Sequence, residues 1–231
     1  MNEMTVKCNG RDIRLQLRDE VDRSVCNEIF KLGEYRAAEE TIRQAVQPII
    51  DVGAHAGFFS LYCRALNPAV KIYALEPEPA NQTALSHNLR LNKTRGVTLV
   101  SAALAATSGE RQLVITTDNH NHRLLGADEK FTEQTIPVQA YSLADLAARF
   151  KIKQISLLKM DIEGGEYEVL DSLTAADWPR IQHIILEYHH QGRNTADRLE
   201  AMMRHNGFSV SVFPSRFDKH LGFLWARNKR I

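Results

Sequence analysis

The stretch LLKMDIEGGEYEVL (157–170) ends an apolar run in Asp161 and Glu163, turns on Gly164-Gly165, and continues as a helix-like segment carrying Glu166. Three carboxylates at a strand end are costly to bury unless something cationic meets them. A helix dipole favours an acid in the first turn, which accounts for Glu166 but not for Asp161 on the strand. A second strand end, IIDVGAHAGFFS (49–60), runs through Asp51 to glycines at 53 and 57 before another helix-like segment. Glycine lets the backbone turn sharply and a ligand approach the main chain, and the helix that follows offers free N–H groups. A third end, IYALEPEP (72–79), carries Glu76, and a fourth, ILEYHHQ (185–191), carries Glu187, His189 and His190.

Three ligands could use the glycine turn. A P-loop needs a lysine and then Ser or Thr after its last glycine, but Phe58 follows Gly57. A nicotinamide fingerprint needs G-x-G-x-x-G, and only Gly53 and Gly57 are present. S-adenosylmethionine has no pyrophosphate; it needs close backbone approach for its methionine part and an acid for its ribose hydroxyls. Glu76 stands where that acid belongs, and two hydroxyls on one carboxylate make charge-assisted hydrogen bonds. The acids at 161–166 would then face the sulfonium, the amino group or an amine substrate. Plain strand–helix packing for the glycines, and a surface position for Glu76, are the competing readings.

These ends must be held at one rim. The patterning predicts strands at 49–52, 70–75, 97–101, 155–160 and 182–188, with helices at about 57–66, 79–92, 142–150, 164–173 and 195–206. Such alternation implies an α/β fold with a mostly parallel sheet, covered on both faces and binding ligands at its carboxyl rim. Residues 110–140 interrupt it with a hairpin-like excursion, RQLVITT and QTIPVQAY around a polar loop, and FSVSVF with LGFLWA reads as a terminal antiparallel pair. Upstream, KCNGRDIRLQL turns at Asn9-Gly10 as a hairpin, and Ile29, Phe30, Tyr35, Ala38, Ile42 and Val46 predict a helix over 24–46. The chain thus divides into 1–47 and a main domain, 48–231.

The blocks at 49–60, 72–79 and 157–170 resemble the FkbM family of S-adenosylmethionine-dependent methyltransferases over roughly 48–190, with K-x-D-x-E-G-x-E at 159–166 the most specific element. The resemblance implies a Rossmann-like class I methyltransferase fold, a seven-stranded sheet with an antiparallel last strand. It implies cofactor contacts from Asp51, Gly53, Ala54, Gly57, Glu76, Pro77 and Asp161, and from Ala102 and Ala103 after strand three. His55 stands where the family usually has asparagine, and it too can donate a hydrogen bond to the cofactor. Many members O-methylate sugars or natural products, and N-terminal additions such as 1–47, with Tyr35 and Arg36, cover the acceptor pocket.

Methyl transfer requires alignment of acceptor and methyl group, and a hydroxyl acceptor must also lose a proton. Strand alternation puts Glu187 and His189 on one face and His190 on the other, so Asp161, Glu187 and His189 are the candidate catalytic residues, with His189 as base. Asn119, His120, Asn121, His122 and Arg123 form a polar loop that could complete the pocket. No H-x-H or H-x₃-H pair is fixed to a helix, and no metal is expected. A net charge of +1 gives no electrostatic footprint for nucleic acid or membrane. Cys8, Cys26 and Cys63, without a leader-like apolar segment, suggest a reducing, cytoplasmic setting. The expected activity is O-methylation of a small molecule, with a homodimer left open. The alternatives are N-methylation of a small amine or peptide, and a cofactor-binding protein without catalysis.

Overall fold

The computed structural model describes residues 2–116, 122–125, 134–190, 192–215 and 220–230. The strands β1 (Asn2–Cys8) and β2 (Arg11–Leu17) form the N-terminal hairpin, with Asn9 and Gly10 both at positive φ in its turn. The continuous helix expected over 24–46 is a correction. Helix α1 (Glu20–Asn27) passes into a π-helical turn at Glu28–Leu32, then a 3-10 turn at Arg36–Ala38, then α2 (Glu39–Gln44). Gly33 breaks it, capping the π turn at φ 69, a left-handed conformation that glycine adopts without strain.

The chain continues with β3 (Ile49–Val52), α3 (Phe58–Leu66), β4 (Ile72–Leu75), α4 (Pro79–Leu91), β5 (Val97–Val100), β6 (Ala103–Leu104), β7 (Gly109–Val114), β8 (Arg123–Leu124) and β9 (Thr135–Tyr141). Then come α5 (Leu143–Phe150), β10 (Leu157–Met160), α6 (Glu166–Ser172), β11 (His183–His189), α7 (Ala196–His205), β12 (Phe208–Pro214) and β13 (Leu221–Asn228). The main sheet has the order β12-β13-β11-β10-β3-β4-β5. The five strands from β11 to β5 pair in parallel, and β13 is antiparallel to both its neighbours, as the terminal hairpin required. The excursion is the antiparallel pair β7 and β9, extended by β6 and β8 into a separate four-stranded sheet.

Period-two alternation sorts the strand residues onto two cores. One face of the sheet, with Ile50, Val52, Leu75, Leu158, Met160 and Leu186, packs against α5, α6 and α7. The other, with Ile49, Ile72, Leu157 and Ile185, packs beneath α3, the hairpin and the N-terminal helices. By the same parity Asp51, Lys159, Glu187 and His189 belong to this second face. The charged side chains near the rim are therefore gathered on the side covered by the N-terminal segment.

That segment is seamed to α4 by two asparagines. On α4, Asn88 Oδ1 accepts the Gln16 N–H at 2.8 Å, and Asn92 Oδ1 accepts the Arg14 N–H at 2.9 Å. The Asn92 amide donates back to the Arg14 carbonyl at 2.6 Å, and that of Asn88 to the carbonyls of Gln16 and Ala56. The outer edge of β2 is thus met by side-chain amides that imitate a neighbouring strand.

Candidate active site

A cavity of about 300 Å³ opens at the carboxyl rim, lined by the turn after β3, Glu76 and Pro77 after β4, Ala103 and Leu104, the turn after β10, Glu187 of β11 and residues of the N-terminal segment. Gly53, at φ 72, faces the backbone after β10 so closely that a Cβ there would lie 1.9 Å from the Asp161 carbonyl oxygen. Gly57, at φ 85, instead allows α3 to pack on α4, where its Cβ would meet Leu85 at 3.0 Å. Gly53 lines the cavity and Gly57 does not.

Beneath the two turns lies Lys159, buried at 3% exposure. Parallel pairing sets it opposite Asp51, with 3.6 Å between Nζ and Oδ1. Its ammonium also donates to the carbonyls of Val52 (3.2 Å) and Gly53 (2.9 Å), and lies 3.7 Å from Asp161 Oδ2. Ser60 of α3 donates to the other Asp51 oxygen at 2.7 Å. Burial raises the Asp51 carboxyl above its usual range although Lys159 opposes the shift. Asp51 does not line the cavity; with Lys159 it clamps the floor of the site.

Glu76 is nearly buried and does line the cavity. One carboxylate oxygen accepts the His55 N–H at 2.8 Å and the other the Glu78 N–H at 2.9 Å, with the Asn81 amide at 3.4 Å. Burial still pushes its pKa up to about 7. The His55 main chain holds the acid from a left-handed φ of 49. Its side chain turns to the N-terminal segment, with Nε2 3.0 Å from the Arg18 guanidinium and 3.3 Å from Asp22. Arg18 also binds Asp22 through two nitrogens and donates to Asn81 at 2.8 Å. One network therefore runs from the end of β2 through α1 to the acid after β4.

The opposite end of the cavity is acidic. Glu34, Asp161, Glu163 and Glu187 line it, with Tyr35 donating to Asp161 at 3.4 Å. Burial, then Glu28 and Asp161, raises Glu34 to about 7. Burial, then Asp161 and Glu166, raises Glu163 to about 8. Glu187 is held well above the carboxylate range by burial and by Asp161, with which it shares a hydrogen bond. Among the described residues no group of three or more His, Cys, Asp or Glu is arranged to hold a metal ion.

The model of the FkbM methyltransferase domain matches residues 51–210. The chain belongs to the FkbM methyltransferase family. Among its relatives are methyltransferase sdnD of Sordaria araneosa, 27% identical over 71% of this chain and 74% of that one, and the 31-O-demethyl-FK506 methyltransferase FkbM of Streptomyces tacrolimicus, 27% identical over 70% and 72%. The hexuronic acid methyltransferase AglP of Haloferax volcanii is 23% identical over 70% and 66%. Magnesium protoporphyrin IX methyltransferase from Synechocystis PCC 6803, solved with bound SAM, superposes with a TM-score of 0.53 at 11% identity, covering 93% of this chain and 86% of that chain. The fold is the Rossmann-like class I methyltransferase fold.

In this FkbM-family site, Gly53, Ala54, His55, Glu76, Pro77, Ala103, Asp161 and Glu187 share the cavity. Ala102 is fully buried in the core below β5 and lies outside it. His189 also lies outside, with Nε2 3.2 Å from Glu163. His190 accepts the Ala196 N–H at 3.0 Å and stacks on Tyr188, so it starts α7. His122 and Arg123 line the cavity from the excursion, whereas Asn119, His120 and Asn121 fall outside the described residues. The sequence reading missed Lys159, Glu34 and the Arg18–Asp22 pair as parts of the site. Lys159 was within reach, since it opens the K-x-D-x-E-G-x-E element.

Proposed function

We propose that this FkbM-family protein transfers a methyl group from S-adenosylmethionine to a hydroxyl of a small molecule in the cytoplasm. The observation that carries the reading is Glu76, a nearly buried carboxylate at the cavity wall, fixed by two backbone N–H groups beside a glycine turn. A buried carboxylate with acceptor capacity left over suits a pair of ribose hydroxyls, which would relieve the burial that raises it. Gly53 and Ala54 would take the methionine part, and Pro77 and Ala103 would border the nucleoside. When bound, the cofactor supplies an electrophilic methyl group on a cationic sulfur. The chain's part is to orient the acceptor against it and exclude water. Val25, Ile29, Glu34 and Tyr35 line the cavity from the N-terminal segment, which supports a covering role for residues 1–47. The names of the FK506 and hexuronic acid enzymes support a hydroxylated small molecule as acceptor.

Calorimetry tests the cofactor: S-adenosylhomocysteine should bind far more tightly than NAD, and equal or tighter NAD binding would end the proposal. Glu76→Ala should weaken that binding by roughly 1.5–3 kcal/mol, the range for losing a hydrogen bond to a charged group. Labelled S-adenosylmethionine with a metabolite extract, followed by mass analysis, identifies the acceptor. One observation favours a second reading. The four acids at the far end of the cavity would suit an amine, and an N-methyl product would select that alternative.

A further inference from the structure

Glu163 lines the cavity and His189 does not, yet Glu163 Oε2 lies 3.2 Å from His189 Nε2. The contact from the cavity to the imidazole therefore runs through the carboxylate. On the far side of the ring, Nδ1 has no hydrogen-bond partner among the described residues and lies 3.8 Å from Oε1 of the fully buried Glu166. Glu166 in turn accepts the Ile162 N–H at 2.8 Å and so fastens the turn that presents Glu163. Glu163 holds a left-handed φ of 54, uncommon for a residue with a side chain, followed by Gly164 at φ 96. Backbone strain of this kind persists where the surroundings over-determine it, and functional turns are common hosts.

We propose that Glu163 is the group that takes the proton of the acceptor hydroxyl, and that His189 is a positioning residue that holds Glu163. This rests on the methyltransferase reading above. As the acceptor oxygen bonds to the methyl carbon, its proton passes to Glu163, and the electron pair of the breaking carbon–sulfur bond returns to sulfur. A sulfonium and a carboxylate thereby become a thioether and a carboxylic acid, and charge balances.

The neighbouring acids are less suited. Glu187 retains its proton through the neutral range, because burial and Asp161 disfavour its ionised form. Asp161 is engaged by Lys159 and Tyr35. Glu163 faces the carboxylates of Asp161, Glu166 and Glu187 and the His189 ring, and its pKa of about 8 is close to neutral, where a general base works best. Burial lowers His189, so its ring is neutral at that pH and can donate through Nε2 to the ionised carboxylate.

An NMR titration of protein saturated with S-adenosylhomocysteine, labelled with ¹³C in glutamate and ¹⁵N in histidine, tests the pair. Glu163 should titrate near pH 8, His189 should shift with the same midpoint, and Glu163→Gln should abolish that shift. An ordinary carboxylate midpoint for Glu163, or a His189 shift that survives Glu163→Gln, would overturn the proposal. On the acceptor found by labelling, wild-type kcat should rise with pH through the same midpoint. Glu163→Gln should lower kcat at least 100-fold and flatten the profile, with the S-adenosylhomocysteine Kd within threefold of wild type. His189→Phe should move the midpoint upward by removing the donor. A Glu163→Gln variant that binds the product normally and keeps the wild-type profile would also sink the assignment. If wild-type protein fails to bind S-adenosylhomocysteine, the cofactor reading falls, and the same titration on ligand-free protein decides whether the pair exists.

Discussion

Lys159 joins the two cavity-lining turns, because its ammonium holds the carbonyls of Val52 and Gly53 while facing Asp51 and Asp161. Removing one partner of a buried ion pair strands the other charge, so Lys159→Met should cost roughly 3–5 kcal/mol in urea denaturation. A loss below about 1 kcal/mol would show that Asp51 is satisfied without it. Asp161→Asn keeps shape and removes charge; it should leave the fold intact and reduce methyl transfer at least tenfold, about 1.4 kcal/mol of transition-state stabilisation. Unchanged turnover would make Asp161 a spacer between Lys159 and Tyr35. At this scale the sequence was partly legible. The acids and glycines announce themselves by type and by position at strand ends. The Lys159–Asp51 pair does not, since only the pairing of β10 with β3 brings together residues distant in the chain. Alternation found the correct face for His189, but not that Glu163 stands at the cavity while the ring lies outside it.

Among the elements, the turns after β3 and β10 fit as one piece, since Gly53 leaves no room for a Cβ against the Asp161 carbonyl. Gly53→Ala combines a left-handed φ with a backbone clash and should destabilise by roughly 2–5 kcal/mol. A well-folded Gly53→Ala protein of wild-type stability, measured by thermal melting, would mean that the turns can separate freely. Strands and helices from β3 onward were readable because buried parallel strands are continuous apolar runs with turn residues between them. The N-terminal helix was misread for a local reason. Apolar residues recur at helical spacing from Ile29 to Val46, but Gly33 turns left-handed and Val46 ends up 86% exposed. The small strands β6 and β8 carry two residues each, too few for any period to show.

The molecule as a whole stores several acids in their protonated form. Burial is the first cause in each case, raising Glu34, Glu76 and Glu166 to about 7 and Glu163 to about 8 from an ordinary 4.5. Between about pH 5 and 8 the native state holds protons that the unfolded chain has released, so stability must fall as pH rises through this window. The Tm of ligand-free protein should therefore be higher near pH 6 than near pH 8, as scanning calorimetry can check; a Tm rising across that interval would contradict the burial of these acids. Asp22 works in the opposite sense, since Arg18 pulls it down against its burial, and its contribution is lost only in stronger acid.

Asn88 and Asn92 have a consequence for behaviour in concentrated solution. By occupying the open edge of β2 they remove a template on which a strand from another molecule could grow. Replacing Asn92 with alanine removes its pair of bonds to Arg14, leaves the turn after β3 untouched and uncaps part of that template, so the damage should appear as concentration-dependent association in light scattering, ahead of any loss of turnover. In this view the two amides act as a shield against aggregation, and the hairpin can lie at the protein surface without recruiting its own copies.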